Sequence, residues 1–227
     1  ADLVHVLLGP MMESTPDHPW HRAERGEIPT ASMQSLVGSW AEEKGFSLRG
    51  DEYDLIMTAQ YTVRSSVVDG VRALREKGYQ TALLTNSFRE FRHVIDAAVP
   101  MSIFSTVIDS SEVGCRKPEP RIYEVVCEQL GHGPDELVYI DDFIGNIEGA
   151  RRMGWRSKHV ASEADVMAVI VVHEGVTEIT LGFAPVAAIA SVSVPAAPTI
   201  QAWIAALATI MSSAPKPASR KPSGTKP

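Results

Sequence analysis

The sequence predicts an α/β fold: a parallel sheet with helices on both faces, preceded by a small helical insertion. Three observations carry that prediction. Between Arg64 and Gly154, short apolar runs alternate with stretches of helical periodicity, and glycines at 78, 131 and 154 close three of the helices. T-A-L-L, with its apolar A-L-L, and the apolar V-Y-I read as cores of short buried strands, as in a parallel sheet covered on both faces. Both run into residues that carry chemistry, Thr85-Asn86-Ser87 after the first and Asp141-Asp142 after the second. In open α/β sheets the ligand crevice lies at those carboxyl ends.

Taken in order, residues 3 to 8, L-V-H-V-L-L, are an apolar run stopped by Gly9-Pro10, readable as a short strand or as the last turns of a helix. His18 and His21 stand at a spacing that suits a metal on a helix. Pro19 lies between them and no third ligand follows, so a polar loop around a packed Trp20 is the expectation. From Thr30 to Lys44, Met33, Leu36, Val37 and Trp40 recur at helical spacing, with Thr30 as N-cap and Gly45 as the stop. Asp51 to Tyr61 is a second helix candidate, and the two helices would form the insertion. Val67, Val68, Val71 and Leu74 line a helix ending at Gly78, and Tyr79 to Leu84 is the strand that follows. A helix with Phe88, Phe91, Val94, Ile95 and Ala98 inward then precedes a short strand at Val107-Ile108. Ser110 to Pro120 reads as an extended loop, because the residue before a proline avoids helical geometry at Lys117. Residues 121 to 130 form a helix burying Ile122, Val125, Val126 and Leu130. Glu136 to Ile140 is the strand that leads to the acid pair, and a helix follows from near Asn146 to Gly154.

The tail differs. Seven of the fifteen prolines lie beyond residue 184, no acid follows Glu178, and the last residues are a basic low-complexity segment expected to be disordered. Thr199 to Met211 has helical spacing, and Val169 to Val172, Thr177 to Leu181 and Ile189 to Val194 are candidate strands.

Composition narrows the functional classes. The 227 residues are 44 % hydrophobic with a formal charge of -7, enough for one α/β domain with an insertion, and the basic residues of the first 170 positions form no stripe that would invite nucleic acid. Cys115 and Cys127 make no disulfide framework, which fits a reducing cytosol. No apolar run is long enough to span a bilayer and no signal peptide opens the chain, so the expectation is a cytoplasmic protein without a membrane partner.

Adjacent carboxylates repel and stay ionised together only beside a cation or a lysine. Asp141-Asp142 therefore points to a divalent metal or to solvent, and an isolated pair in a loop is more often a solvated turn. Here the wider pattern decides. L-L-T-N-S, V-G-C-R-K-P-E-P-R-I-Y and V-Y-I-D-D-F-I-G-N-I-E-G-A together resemble motifs II, III and IV of the haloacid dehalogenase (HAD) superfamily. They look closest to the phosphatase-like domain at the amino end of soluble epoxide hydrolases and its bacterial relatives. The resemblance covers roughly residues 10 to 160. Receiver domains also combine acids, a threonine and a lysine, but their acid pair comes first in the chain.

The resemblance implies a HAD-like Rossmannoid core at 65–170, a lead-in segment and helical cap at 1–64, and a low-complexity tail at 171–227. It implies a Mg2+-dependent phosphatase of a small phosphorylated metabolite, in which an aspartate attacks phosphorus and forms an aspartyl-phosphate. Thr85 and backbone N–H groups of Asn86-Ser87 would bind phosphoryl oxygens, and Lys117 would neutralise nucleophile and phosphate. Asp142 would ligate magnesium directly; Asp141 would do so through water or would orient Lys117. Asn146 reads as a helix cap. Trp20, Trp40 and Tyr53 are candidates to shape the pocket, with packing an equal reading. Motif I, an apolar strand ending in Asp-x-Asp, occurs nowhere in the sequence. The expectation is therefore a fold incomplete at its amino terminus, with Ala1 in place of Met in agreement, and residues 3 to 8 or part of the tail filling the vacated sheet centre. The alternatives are an inactive HAD-like remnant that binds phosphate or protein, and a carbon–halogen hydrolase, for which the acid pair has no use.

Overall fold

Burial along the strands shows how the core is layered. In β1 (Gln80–Thr85), Ala82 and Leu84 pack into one cluster and Leu83 into another; in β3 (Leu137–Asp141), Leu137 and Tyr139 join the first and Ile140 the second. Side chains two apart share a face, so each strand feeds both sides of the sheet. The computed structural model describes residues 3–10, 14–46, 65–160 and 187–190. The expected second cap helix with Tyr53, and the tail features at Val169 to Val172, Thr177 to Leu181 and Thr199 to Met211, lie outside those residues.

One face is covered by α4 (Ser65–Glu76) and α5 (Arg92–Ala98), which bring Val71, Leu74 and Ile95 against the sheet. The other is covered by α7 (Pro120–Leu130) and α8 (Ile144–Arg152), with Ile122, Val126, Ile147 and Ala150 buried. A methyl added at Gly149 would sit 2.6 Å from Tyr123 Oη and 2.9 Å from Pro118 Cβ. The glycine of G-N-I-E-G-A is thus where α8 approaches the loop before α7 too closely for a Cβ.

The remaining strands are β2 (Thr106–Asp109), β4 (Arg156–His159) and β5 (Ala187–Ala190), and the sheet order is β2-β1-β5-β3-β4, parallel throughout. The centre is taken by β5, drawn from the tail, which pairs Gln80–Leu83 on one side and Leu137–Ile140 on the other. Residues 3 to 8 do not fill it: α1 (Leu3–Leu8) is a helix, packed with α2 (Pro19–Glu24) and α3 (Thr30–Glu43) around Val6, Leu7, Met33, Val37 and Ala41. Phe88, expected on the inner face of the helix after β1, belongs to this cluster instead.

Other expectations are corrected. Pro19 starts a helix instead of preventing one: it occupies the first helical position, where no N–H is needed, and His18 caps it by accepting from Trp20 N at 3.2 Å. The N-cap of α3 is Pro29, one residue before Thr30. Leu36 and Trp40, 41 % and 38 % exposed, point outward, and Ala41 takes the buried position. The stretch after β2 opens with a helical turn, α6 (Ser110–Val113), capped by Asp109, before the loop leads through a cis Lys117–Pro118 bond. β4, R-S-K-H, has no apolar signature because it is an edge strand with largely exposed residues. Among the described residues no helix is long and apolar enough to cross a membrane.

Candidate active site

Lys117 is 1 % exposed, and its ammonium is held at two points at the carboxyl edge of the sheet. Nζ donates to Leu84 O of β1 at 3.1 Å and to Asp141 Oδ2 of β3 at 2.9 Å, so it bridges the strands that flank β5. Asp141 is fully buried, and four donors surround its carboxylate. Lys117 Nζ, Tyr139 Oη and Asn146 Nδ2 reach Oδ2, while Phe143 N reaches Oδ1 at 2.6 Å. Burying a carboxylate is costly unless it is paired and hydrogen-bonded, and these donors supply the partners. Asn146 is therefore not the cap: Phe143 occupies that position and the Asn146 amide bonds Asp141 at 3.0 Å.

Thr85 ends β1, 2 % exposed, level in register with Asp109 of β2. In the next two residues the polar groups are already engaged. Asn86 Oδ1 accepts from Lys117 N at 2.8 Å and its Nδ2 donates to Lys117 O at 3.0 Å. Ser87 N, expected to face phosphate, donates instead to Ser110 Oγ at 3.0 Å. Asp142 follows β3 as an exposed residue, its carbonyl 3.0 Å from His159 Nε2. Sequence reasoning thus brought Thr85, Lys117 and Asp141 to one sheet edge, with Asn86 and Asp142 beside them.

A family profile described as haloacid dehalogenase-like hydrolase matches residues 20–154, more than half of the chain. The chain belongs to the haloacid dehalogenase-like hydrolases. It is 28 % identical over 163 residues to bifunctional epoxide hydrolase 2 of Rattus norvegicus, a match covering 65 % of this chain and 29 % of that protein. It is 31 % identical over 85 residues to a phosphatase of Mycobacterium tuberculosis, covering 37 % of this chain and 39 % of that one. The chain therefore spans well under two thirds of these relatives. A HAD family enzyme of Bacteroides thetaiotaomicron, solved as a magnesium complex, superposes with a TM-score of 0.53 at 24 % identity, covering 64 % of this chain and 75 % of that one.

Magnesium, the cation that HAD resemblance implies, needs near-octahedral oxygen ligands and usually takes one or two carboxylates together with waters and phosphate oxygens. Among the described residues no three His, Cys, Asp or Glu side chains gather into a metal cluster. The exposed carboxylate of Asp142 is of the right kind, whereas that of Asp141 lies inside a shell of donors. This set fits an ion that takes one protein carboxylate and draws its other ligands from water and substrate.

Sequence reasoning missed several residues around this HAD core. Tyr139 was detectable, since residues i and i+2 of a strand share a face and Tyr139 is two before Asp141. Asp109, 1 % exposed, holds Ser111 N and Oγ at 2.9 and 2.8 Å through Oδ1, and its Oδ2 has no partner among the described residues. Burial pushes its carboxyl up. Among the described residues, the helices before residue 46 meet the loop ahead of α7 through ion pairs from Arg116 Nε to Glu24 Oε2 at 2.5 Å and from Arg25 Nη1 to Glu119 Oε1 at 3.1 Å. Gly26, at φ +68°, lies so close to α6 that a Cβ would meet Ser111 O at 2.2 Å. His18 and His21 are structural: their ring nitrogens contact Val6 O, Trp20 N and Thr15 N, and burial lowers both, His21 to about 3.

Proposed function

We propose that this chain carries the phosphate- and magnesium-binding side of a HAD-type phosphatase for a small phosphorylated metabolite, and that the aspartate which would attack phosphorus is not in this sequence. The observation that carries the reading is the Lys117 ammonium, buried and bridged between the ends of β1 and β3 beside Thr85. A cation fixed there needs no reorganisation to offset the charge on a phosphoryl group. Thr85 Oγ1 would donate to a phosphoryl oxygen. Asp141 would hold the lysine in place instead of ligating metal directly. Asp142 would bind magnesium, which when present spreads the phosphoryl charge and orients the ester. The acid pair argues against carbon–halogen chemistry, which has no need of a metal.

A specific observation favours a second reading, a non-catalytic phosphate-binding module. The sheet centre, where HAD resemblance places the nucleophile strand, is occupied by β5, and no Asp or Glu follows Glu178. The readings separate in a turnover assay with p-nitrophenyl phosphate and magnesium. The phosphatase reading expects no turnover by the 227-residue chain and measurable turnover once an apolar strand ending in Asp-x-Asp is fused ahead of it. Silence of the fused protein, folded and binding phosphate, leaves the module. Turnover by the unfused chain contradicts both.

A further inference from the structure

The side chain of Asn86 meets the main chain of Lys117 twice, as acceptor from its N–H at 2.8 Å and as donor to its C=O at 3.0 Å. A side-chain amide offers one acceptor and two donors, and in this orientation it imitates the paired edge that a neighbouring strand would present. The far end of the same lysine returns to β1, where Nζ donates to Leu84 O at 3.1 Å, and continues to Asp141 Oδ2 at 2.9 Å. Backbone and ammonium of Lys117 are thus both tied to the carboxyl end of β1, the ammonium to Leu84 within the strand and the backbone to Asn86 just past it. With both halves of its amide engaged on Lys117, the Asn86 side chain is not arranged to meet a phosphoryl oxygen, although it directly follows Thr85.

We propose that Asn86 is a positioning residue: it fixes Lys117 at the sheet edge and acts on a bound phosphoryl group only through that lysine. The inference rests on the phosphatase reading for its phosphate readout and on geometry alone for its lysine readout, so the two fail separately. A lysine whose main chain is clamped keeps its ammonium in one place; one released at the backbone samples other rotamers and solvent.

The first measurement needs no ligand. The full chain is acetylated with a limiting reagent, and modification of Lys117 is read by mass spectrometry against the exposed Lys44 and Lys158. Asn86→Ala should speed Lys117 acetylation about tenfold while the two reference lysines stay unchanged, the factor expected if roughly one coupling of ordinary size is lost. Asn86→Asp, which keeps the acceptor for Lys117 N and loses the donor to its C=O, should fall between wild type and alanine, and it serves if the alanine variant does not fold. An unchanged Lys117 rate in both variants overturns the proposal, and so does a rise shared by all three lysines, which would report general loosening.

The second measurement is a double-mutant cycle on inorganic phosphate binding, followed by calorimetry with magnesium. Asn86→Ala should weaken binding about tenfold in the wild-type background and less than about twofold beside Lys117→Met. An equal loss in both backgrounds means that Asn86 acts on phosphate directly and contradicts the inference. If the wild-type chain binds no phosphate, the phosphatase reading falls and the acetylation result alone decides the clamp.

Discussion

Burying an ammonium is costly unless it is paired and hydrogen-bonded, and Lys117, 1 % exposed, donates to the Asp141 carboxylate and to the Leu84 carbonyl. Removing half of such a pair leaves a buried charge alone, which costs about 3–5 kcal/mol, whereas replacing both members by neutral groups of similar shape is often close to neutral. Asp141→Asn should therefore lower the urea midpoint sharply at pH 7, and adding Lys117→Met should restore most of the loss; two losses that simply add would refute the pairing. His21 gives a pH prediction. Burial, with help from Arg116 and His18, lowers its pKa to about 3, below the 6.5 it has when unfolded. The unfolded chain then binds the proton more readily between those values, so stability is full above pH 6.5 and falls as pH drops toward 3. The loss from this residue should reach up to about 5 kcal/mol. Urea midpoints from pH 4 to 7 should fall less steeply for His21→Gln than for wild type; equal slopes would mean that the ring is not buried neutral. At this scale the sequence displayed Thr85, Lys117 and Asp141 because chemistry-bearing residues stood at strand or loop ends in the order of the HAD motifs. It did not display what Asn86 and Asn146 touch, since an amide five or thirty-one positions from its partner leaves no periodic trace.

Elements were legible where burial imposes a period. α7 was readable because Ile122, Val126 and Leu130 return to one face, and β1 because Ala82, Leu83 and Leu84 form its apolar core. Elements set by something other than burial were not. β4 is a polar edge strand defined by its pairing with β3, and α2 is a six-residue helix that owes its start to Pro19 and the ring of His18. The packing of α8 yields a sharp test. A Cβ at Gly149 would press on Tyr123 Oη, which is buried and bonded to Asn146 O at 2.7 Å, and on Pro118 beside Lys117. Tyr123 cannot easily retreat, because its ring is edge-on to Tyr139 and Trp155 at 6.2 and 5.3 Å. Gly149→Ala should cost about 1–3 kcal/mol in spite of alanine's better helix propensity, as overpacking does. A thermal midpoint at or above that of wild type would show that the contact yields freely.

The whole molecule is organised by its sheet, and the sheet is completed by a strand from the tail. The alternation of strands and helices predicted parallel topology, and HAD resemblance predicted the position of each motif at the carboxyl edge. The expectation that residues 3 to 8 or part of the tail would fill the sheet centre holds for the tail, through Ala187–Ala190 at the edge of the candidate strand Ile189 to Val194; the sequence alone did not choose between the two, because a four-residue alanine-rich strand has weak β-propensity and its placement comes from the slot. A proline there removes a donor from a central ladder, so Ile189→Pro should destabilise the core by about 3 kcal/mol or more. Amide exchange should accelerate first in Gln80–Leu83 and Leu137–Ile140, the segments paired with β5; unaltered protection there would remove β5 from the sheet. The central claim is that Lys117, Thr85 and Asp142 form a magnesium-assisted phosphate site on a HAD core that holds no nucleophilic aspartate. Calorimetric titration of the chain with inorganic phosphate tests it most directly. Binding that requires magnesium and weakens at least about tenfold in a folded Lys117→Met variant is the predicted result. Phosphate binding indifferent to both magnesium and Lys117, or no binding at all, would contradict it.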